Sequence, residues 1–521
     1  METNEKNDIV LPMSIFSKKP MLKILFVATE ATPFIKAGGL GEVMFSLPQS
    51  LVELGHDARV MIPRYADIDS AKFELTMELK DLEVPTDAEG EDKPEYLICN
   101  VKKFTPKKDD PRSMVTAYFL ENMEYYEQRA NVYGYADDAS RWALLSRGVL
   151  EFLRASNWKP DVIMCADWQT GFLPNYLKTV YKNDPFLKSI ATVFSIHNLY
   201  YQGMFDHRFV SDADYDGGQA PIGSFFNSRL GKLNGMRRGI MYSDLIITVS
   251  PNYAKEIMTP EYGELLDGLL RENRSRVYGV INALDYEVFN PKTDPNLAEN
   301  YEIGEWNKRK KNKAELQKRF GMKQGNDYFL IGIVSRLVEQ KGFDLLLPVL
   351  ESLLKELRLQ LVVVGSGESK YMSFFQNLEK NHPGQVAAHL TFDKILPHLV
   401  YAGADAVLIP SRFEPSGLTQ MEAMRYGCVP IARKTGGLAD TVEDYNGAEN
   451  SGTGFLFESF DSLPLIVAIT RAYENFYNSD AWNGIQSRAM KKDFSWGHSA
   501  MQYGKLFKTA SALAAVMKTE L

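Results

Sequence analysis

The sequence predicts an α/β protein built from two Rossmann-like lobes that face a cleft. Short apolar runs rich in β-branched residues alternate with helical patterns along nearly the whole chain, and they form two series separated by a polar stretch at 271–278 (RENRSRVY). Buried parallel strands joined by helices give this alternation. The length of 521 residues also exceeds what one core usually supports. We therefore expect two lobes, each with its own sheet.

The first lobe is expected to span residues 21–277. Its predicted strands lie at 23–28, 58–62, 161–166, 191–196 and 244–249. The stretch 80–111 is rich in charge and proline, so it is predicted to be a surface excursion outside the core. Residues 1–20 are expected to be a loose extension, because the short apolar run there lacks the basic flank of a secretory signal.

The second lobe is expected to span residues 278–494. Its predicted strands lie at 328–334, 359–364, 386–392 and 405–409. Each is followed by a helical pattern or a turn, as in the first series. The basic run 308–313 (KRKKNK) leads into a helical pattern in an acidic chain, so we interpret it as a solvated helix face rather than a nucleic-acid site.

The composition excludes several classes of function. A formal net charge of -8 argues against nucleic acid or an anionic membrane as partner. No apolar run approaches the roughly 18 residues that a membrane span needs. The cysteines, Cys99, Cys165 and Cys428, lack the spacing of a metal site or a disulfide framework. We expect a cytoplasmic protein whose anionic ligands are met by local cations.

Two loops that follow predicted strands carry glycine and a cation. Residues 36–41 (KAGGLG) precede a predicted helix at 43–54, where backbone amides and the helix N-terminus can meet an anion. The alternative is a tight turn with an incidental lysine. Residues 335–342 (SRLVEQKG) place Arg336 and Lys341 at the carboxyl end of a strand. A guanidinium and an ammonium suit a diphosphate leaving group, and a surface ion pair is the alternative.

The stretch 411–422 (SRFEPSGLTQME) is more specific, because it joins a strand end, a proline turn, two carboxylates and a helix start. Ser416 is predicted to cap the helix and leave the amides of residues 417–419 free for an anion. Glu414 is predicted to hang in the cleft and accept hydrogen bonds from sugar hydroxyls. Glu422 is predicted to reach a ribose diol. The alternative is an acidic surface helix.

Two further motifs each have a structural alternative. Residues 436–440 (GGLAD) repeat the glycine-loop pattern in the second lobe, or form only a turn. His197, in SIHNLYYQG, follows a predicted strand and could bond a sugar hydroxyl, although a lone histidine is more often a buried, satisfied one.

Together these motifs resemble those of the bacterial glycogen synthase and plant starch synthase family. KAGGLGEV is similar to the family's KxGGLGDV, HNLYYQG to HNLAYQG and SRLVEQKG to SRLxxQKG, and the resemblance extends through TGGLADTV to DFSWGHSAMQY, from about residue 21 to 503. It implies the double-Rossmann GT-B architecture and a retaining transfer of glucose from ADP-glucose to the non-reducing end of an α-1,4-glucan, without a cofactor or an obligatory metal. It also implies that residues 495–521 form a helix crossing back to the first lobe.

The resemblance gives roles to the matched residues. The catalytic set it implies is His197, Asp167, Arg336, Lys341 and Glu414. The substrate-binding set it implies is Lys36, Gly38, Gly39, Glu42, Gln202, Asn282, Ser416, Gly417, Leu418, Thr419 and Glu422. The donor's phosphates would meet the Lys36 loop from the first lobe and Arg336 with Lys341 from the second.

This chain departs from the family pattern at three places. Glu42 stands where the family has aspartate, and Ala283 where it has glycine. Ala166 lies in MCADWQ, a stretch that often carries histidines in the family. These departures keep two alternatives open: a glucosyltransferase that uses UDP-glucose, and a weakly active glucan-binding homologue.

Overall fold

The structure is a computed structural model that describes residues 21–88, 92–107 and 115–516. The extension expected at 1–20 lies outside these residues. Two sheets of mostly parallel strands are present, each with its own hydrophobic core. This confirms the predicted α/β class with two Rossmann-like lobes.

The first lobe contains a nine-stranded sheet with the order β3-β4-β5-β2-β1-β6-β7-β8-β9. Its strands are β1 (Lys23–Val27), β2 (Asp57–Pro63), β3 (Thr76–Pro85), β4 (Tyr96–Phe104), β5 (Thr116–Glu121), β6 (Val162–Ala166), β7 (Ala191–Ile196), β8 (Leu245–Thr248) and β9 (Val277–Gly279). The five predicted strands form its parallel centre. Strand β9 pairs with β8, so the sheet continues to Gly279, past the boundary expected at 277.

The prediction of a surface excursion at 80–111 is wrong in the described part of that stretch. Strands β3 and β4 pair antiparallel there, and β4 pairs antiparallel with β5. Leu82, Val84, Cys99 and Val101 are buried in the first core. An antiparallel edge can expose one face to water, so charged residues alternate with buried ones and hide the strand signal.

Between its strands the described part of the first lobe has seven α-helices. They are α1 (Leu40–Glu53), α2 (Asp138–Ala155), α3 (Asp167–Thr170), α4 (Phe172–Lys178), α5 (Gly235–Tyr242), α6 (Pro251–Glu256) and α7 (Asp267–Glu272). Helix α1 begins at Leu40, directly after the glycines of the 36–41 loop and earlier than the predicted start at 43.

The second lobe contains a six-stranded parallel sheet with the order β12-β11-β10-β13-β14-β15. Its strands are β10 (Phe329–Val334), β11 (Leu359–Val364), β12 (Val386–His389), β13 (Ala406–Ile409), β14 (Val429–Arg433) and β15 (Phe455–Phe457). Its helices are α8 (Trp306–Arg319), α9 (Leu350–Glu356), α10 (Ser369–Asn381), α11 (Leu396–Gly403), α12 (Thr419–Arg425), α13 (Gly436–Thr441), α14 (Ser462–Phe476) and α15 (Ser479–Lys491).

The last described helix, α16 (Trp496–Val516), packs on the first lobe. Tyr503 and Phe507 are buried in the first core, and the Phe507 ring meets the Phe26 ring edge-on at 6.0 Å. The hydroxyl of Ser499 donates to the carbonyl of Ile281 at 2.8 Å. Helix α16 therefore ties the second lobe to the first. No helix in the described ranges has the length and apolar character to cross a membrane.

Candidate active site in the cleft between the lobes

The predicted half-sites of the two lobes face each other across one cleft. The Tyr200 ring of the first lobe lies over the Phe413 ring of the second, with centroids 6.3 Å apart and planes inclined by 25°. The Glu256 carboxylate of the first lobe accepts the Gly436 amide of the second at 3.0 Å. The ligand-binding edges of both sheets therefore open into the same space, as the fold class predicts.

Lys341 and Glu414 form a buried ion pair at the carboxyl ends of β10 and β13. The Lys341 Nζ lies 2.6 Å from the Glu414 Oε2, which also accepts a 2.8 Å hydrogen bond from the Ser411 hydroxyl. Gly342 has a φ of 73°, and a Cβ there would lie 2.0 Å from the Pro410 carbonyl oxygen, so only glycine brings the two loops this close. The Glu414 carboxylate was predicted to project freely into the cleft. Instead it is held by the Lys341 ammonium and the Ser411 hydroxyl.

A small cavity of about 50 Å³ adjoins this ion pair. Lys341, Glu414, Gly417 and Thr419 are among the residues that line it. Its volume has room for only a few water molecules. Arg336 stands exposed on the loop that follows β10, so the two predicted diphosphate ligands differ in how free they are to move.

The predicted helix cap at Ser416 is wrong. Helix α12 begins at Thr419 with Leu418 before it, and Gly417 adopts a left-handed φ of 65°. This extra turn separates Ser416 from the helix, and its buried hydroxyl has no hydrogen-bond partner among the described residues. The amides of Gly417, Leu418 and Thr419 donate to no carbonyl or carboxylate oxygen in the described part of the chain, so they stay available to an anion.

Glu422 faces the cleft from α12 with a defined partner. The Tyr401 hydroxyl donates to its Oε2 at 2.8 Å. Burial raises the pKa of Glu422, and the Tyr401 hydrogen bond partly offsets that rise by favouring the charged form. The neighbouring Tyr426 and His398 are fixed by the Asp294 carboxylate at 2.6 and 2.7 Å. Glu422 is thus held by Tyr401 and lies beside a group of hydrogen-bonded side chains.

In the first lobe, Asp167 and His197 are held against each other. Asp167 has a left-handed φ of 57°, and its Oδ1 accepts the amides of His197 at 2.8 Å and Asn198 at 3.4 Å. Burial raises the pKa of Asp167 to about 7 and lowers that of His197 to about 4. The neutral imidazole has its Nε2 3.0 Å from the Ser195 hydroxyl. A strained backbone beside a carboxyl and an imidazole with shifted pKa values is typical of a functional site.

The loop 36–41 is ordered by Glu30, a residue that the sequence analysis missed. Its carboxylate accepts the amide of Ala37 and, at 2.8 Å, the amide of Gly38, while Lys36 forms a 2.5 Å ion pair with Glu42. The Gly38 amide is therefore not free for a phosphate, contrary to the prediction. The only signal in the sequence is an acidic residue shortly after β1.

The glycine loop of the second lobe is likewise met by a carboxylate, from across the cleft. Glu256, at the end of α6, accepts the Gly436 amide at 3.0 Å and the Thr435 hydroxyl at 3.1 Å. The Asn252 amide donates to the Asp440 Oδ2 at 2.8 Å. These contacts form a clasp between the lobes.

The glycines of this loop also serve close packing. A Cβ at Gly436 would lie 1.9 Å from the Glu414 carbonyl oxygen, and one at Gly437 1.8 Å from that of Ser416. GGLAD is therefore more than a turn, because it supports the main chain beneath the ion-paired Glu414.

Gln202 and Asn282, two of the predicted substrate ligands, differ in whether their side chains have hydrogen-bond partners. Gln202 is 1% exposed and bonds the Glu264 carbonyl and Asn234, each at 2.7 Å, so it is a structural residue rather than a ligand. Asn282 is also buried, but its Oδ1 has no partner among the described residues. Ala283 is buried beside it. Asn282 thus keeps an acceptor unused, whereas Gln202 does not.

The described residues contain no group of three or more His, Cys, Asp or Glu that could hold a metal ion. The expectation that no metal or cofactor is required stays a prediction.

The chain is similar in sequence to known proteins over nearly its full length. The model of the starch synthase catalytic domain matches residues 23–272, and that of glycosyl transferases group 1 matches residues 314–483. The chain is 40% identical over 500 residues to a glycogen synthase of Desulforudis audaxviator, covering 94% of this chain and 96% of that protein. It is 39% identical over 498 residues to a glycogen synthase of Thermotoga maritima, covering 94% and 99%.

Solved structures are similar in fold. The catalytic domain of starch synthase IV from Arabidopsis thaliana, bound to ADP and acarbose, superposes with a TM-score of 0.80 at 30% identity, covering 95% of this chain and 100% of that one. A sucrose-phosphate synthase from Thermosynechococcus elongatus superposes with a TM-score of 0.56 at 16% identity, covering 94% and 99%, and shares the fold alone.

Proposed function

This chain belongs to the glycogen synthase and starch synthase family of GT-B glycosyltransferases, and from that premise we propose that it transfers glucose from ADP-glucose to the non-reducing end of an α-1,4-glucan. The observation that carries the proposal is the facing of the two half-sites, with the Tyr200 and Phe413 rings 6.3 Å apart. One ligand can therefore touch both lobes. ADP and acarbose in the starch synthase IV structure support the nucleotide and the glucan class.

The second lobe would hold the nucleotide diphosphate. Arg336 and Lys341 supply positive charge, and the amides of residues 417–419 supply donors, where negative charge grows as the sugar leaves. A diphosphate at Lys341 would compete with Glu414 for the ammonium. Glu414 would then be free to accept hydrogen bonds from the hydroxyls of the transferred glucose.

The first lobe would meet the sugar. Because the imidazole of His197 is neutral, it can hydrogen-bond a glucose hydroxyl without repelling the positive charge that develops on the sugar ring. A retaining transfer fits an oxocarbenium-like state on the face of the leaving diphosphate, which itself helps to deprotonate the acceptor hydroxyl. Catalysis then rests on positioning, electrostatics and the exclusion of water by lobe closure.

The proposed reaction requires no metal or cofactor and takes place in the cytoplasm. The three cysteines are free and buried, which fits a reducing setting. Incorporation measured with and without a chelator tests the first point. Equal rates are expected, and a rate abolished by the chelator and restored by a divalent ion would contradict it.

A labelling assay tests the function. The purified protein is incubated with glycogen and radiolabelled ADP-glucose or UDP-glucose, and label in polymer is measured. We expect incorporation from ADP-glucose. Incorporation from UDP-glucose alone would support the alternative donor, and none from either would leave a glucan-binding homologue.

A further inference from the structure

We propose that an aromatic patch at the mouth of the cleft binds the glucan acceptor beyond its reacting end. The aromatic patch consists of Tyr200, Tyr201 and Phe209, with Arg208 between the rings. This inference rests on the proposed function, because the glucan is its acceptor, and it adds a binding surface that lies outside the donor site.

The patch is unusually open for its residue types. Phe209 is 83% exposed and Tyr201 51% exposed. The Tyr200 and Tyr201 rings meet edge-on, with centroids 5.2 Å apart. Grouped aromatic rings left in water indicate a binding surface rather than chance exposure.

The patch is fixed in place although it lies outside the α-helices and strands, partly on a short 3-10 helix, His207–Phe209. The Arg208 Nη2 donates to the Tyr200 hydroxyl at 2.6 Å, and its guanidinium stands 5.0 Å from the Tyr200 centroid and 5.7 Å from the Phe209 centroid. Asp206 holds the same guanidinium at 2.6 Å. The next residue, His207, is anchored by Glu264 at 2.7 Å. Rings held in advance lose little entropy on binding.

The patch is continuous with the reaction site. The Tyr200 ring lies over Phe413, and Phe413 directly precedes Glu414 in the chain. In the opposite direction the patch runs from Tyr200 past the Arg208 guanidinium to the exposed Phe209. An extended ligand whose end reached Glu414 would therefore pass over these rings.

The chemistry of the patch fits an α-glucan. Each glucosyl unit has an apolar C–H face and a rim of hydroxyls. The aromatic rings offer apolar faces, and the Arg208–Asp206 pair offers a donor and an acceptor with no net charge. A polyanion would meet no excess of positive charge here. Tyr200 stands where the family motif HNLAYQG has alanine, so this chain adds one ring to the path.

The test measures glucan binding without the donor. Affinity for maltoheptaose is determined by calorimetry for the full-length wild type, Phe209→Ala and Tyr200→Ala, with ADP affinity measured in parallel to confirm an intact cleft. We expect about tenfold weaker maltoheptaose binding in each variant and a matching rise in the KM for glycogen.

Tyr477→Ala is the matched control. Tyr477 is 49% exposed, and its hydroxyl donates to the Asp327 carbonyl just before the amino end of β10, whereas the predicted ligands follow the carboxyl ends of the strands. Its removal should leave maltoheptaose affinity and turnover unchanged.

The outcomes separate this inference from the proposed function. If Phe209→Ala and Tyr200→Ala bind maltoheptaose as tightly as the wild type and transfer from ADP-glucose is observed, the patch does not bind the glucan and the proposed function still holds. Weakened binding without any transfer overturns the function and leaves the patch as a glucan-binding surface. If the wild type sediments as a dimer and Phe209→Ala as a monomer, the patch is an interface between copies of this chain and the inference is overturned.

Discussion

The ammonium of Lys341 lies 2.6 Å from the carboxylate of Glu414, and only 19% and 8% of the two side chains are exposed. Each charge is therefore the main group that offsets the cost of removing the other charge from water. The two residues assigned to the diphosphate and to the transferred sugar are paired with each other. We propose that a donor diphosphate at Lys341 competes with Glu414 for the ammonium.

Removing either partner of this pair should abolish turnover and also weaken the fold. For Lys341→Ala and for Glu414→Ala we expect a loss of kcat of about 100-fold or more, because a positioned charge in the site is lost. Each should lower the unfolding temperature, since the remaining charge is buried without a partner. Labelled polymer and thermal unfolding are measured on the same samples.

The double variant Lys341→Met/Glu414→Gln separates the two effects. It should recover much of the unfolding temperature and none of the turnover, because no unpaired charge remains. Lys355→Ala, which breaks an exposed ion pair with Glu351 in the same lobe, serves as control and should keep both. Near-normal turnover in Lys341→Ala would show that the diphosphate binds elsewhere.

Asp167 and His197 should give opposite pH dependences of stability. The folded pKa of Asp167, about 7, lies above its ordinary 3.8, so the folded state binds more protons and stability falls as pH rises from about 4 to about 7. The folded pKa of His197, about 4, lies below its ordinary 6.5, so stability rises over most of the same range. The two contributions largely cancel in the wild type.

Asp167→Asn should remove one side of this balance. Relative to the wild type, its unfolding temperature should increase as pH rises from about 4 to about 7. Thermal unfolding across that range measures the difference, with Asp212→Asn as an exposed control in the same lobe. A difference that does not change with pH would contradict a raised pKa at Asp167.

The clasp between the lobes should matter for nucleotide binding. Glu256→Ala removes the acceptor for the Gly436 amide and the Thr435 hydroxyl. Hydrogen bonds to a charged group stabilise by about 1.5–3 kcal/mol, so we expect a more open molecule and about tenfold weaker ADP binding. Small-angle scattering and calorimetry measure the two effects. The exposed Glu272→Ala on α7 is the control, and a compact Glu256→Ala protein with normal ADP affinity would rule out the clasp.

The hydrogen bond from the Tyr401 hydroxyl should lower the pKa of Glu422. Tyr401→Phe removes the hydrogen bond that favours the charged carboxylate, so the pKa of Glu422, already raised by burial, should rise further. ADP affinity should then fall at a higher pH than in the wild type as the medium is acidified. Calorimetric titrations over a pH series locate the midpoint. Tyr473→Phe, in the same lobe on α14, is the control, and coincident midpoints would exclude the coupling.

The sequence was most informative where one periodic signal dominates. Strands β1, β7 and β11 are almost entirely buried and mainly apolar, as expected for a sheet covered on both faces. Strands β3 and β4 escaped detection because their exposed face is charged. The site residues recognised from the sequence, such as Lys341 and Glu414, are those that lie within contiguous motifs, because a motif is a local pattern.

The sequence by itself determined the α/β class, the two lobes and the motifs that carry the chemistry, because periodicity and loop residues are local properties. Only the tertiary structure decided what those residues touch. It paired Lys341 with Glu414 and Glu30 with the amide of Gly38, and it separated Ser416 from α12 through the left-handed turn at Gly417. Residues that are distant in the chain come into contact only when strands and lobes pack together, and a local sequence pattern does not predict those contacts.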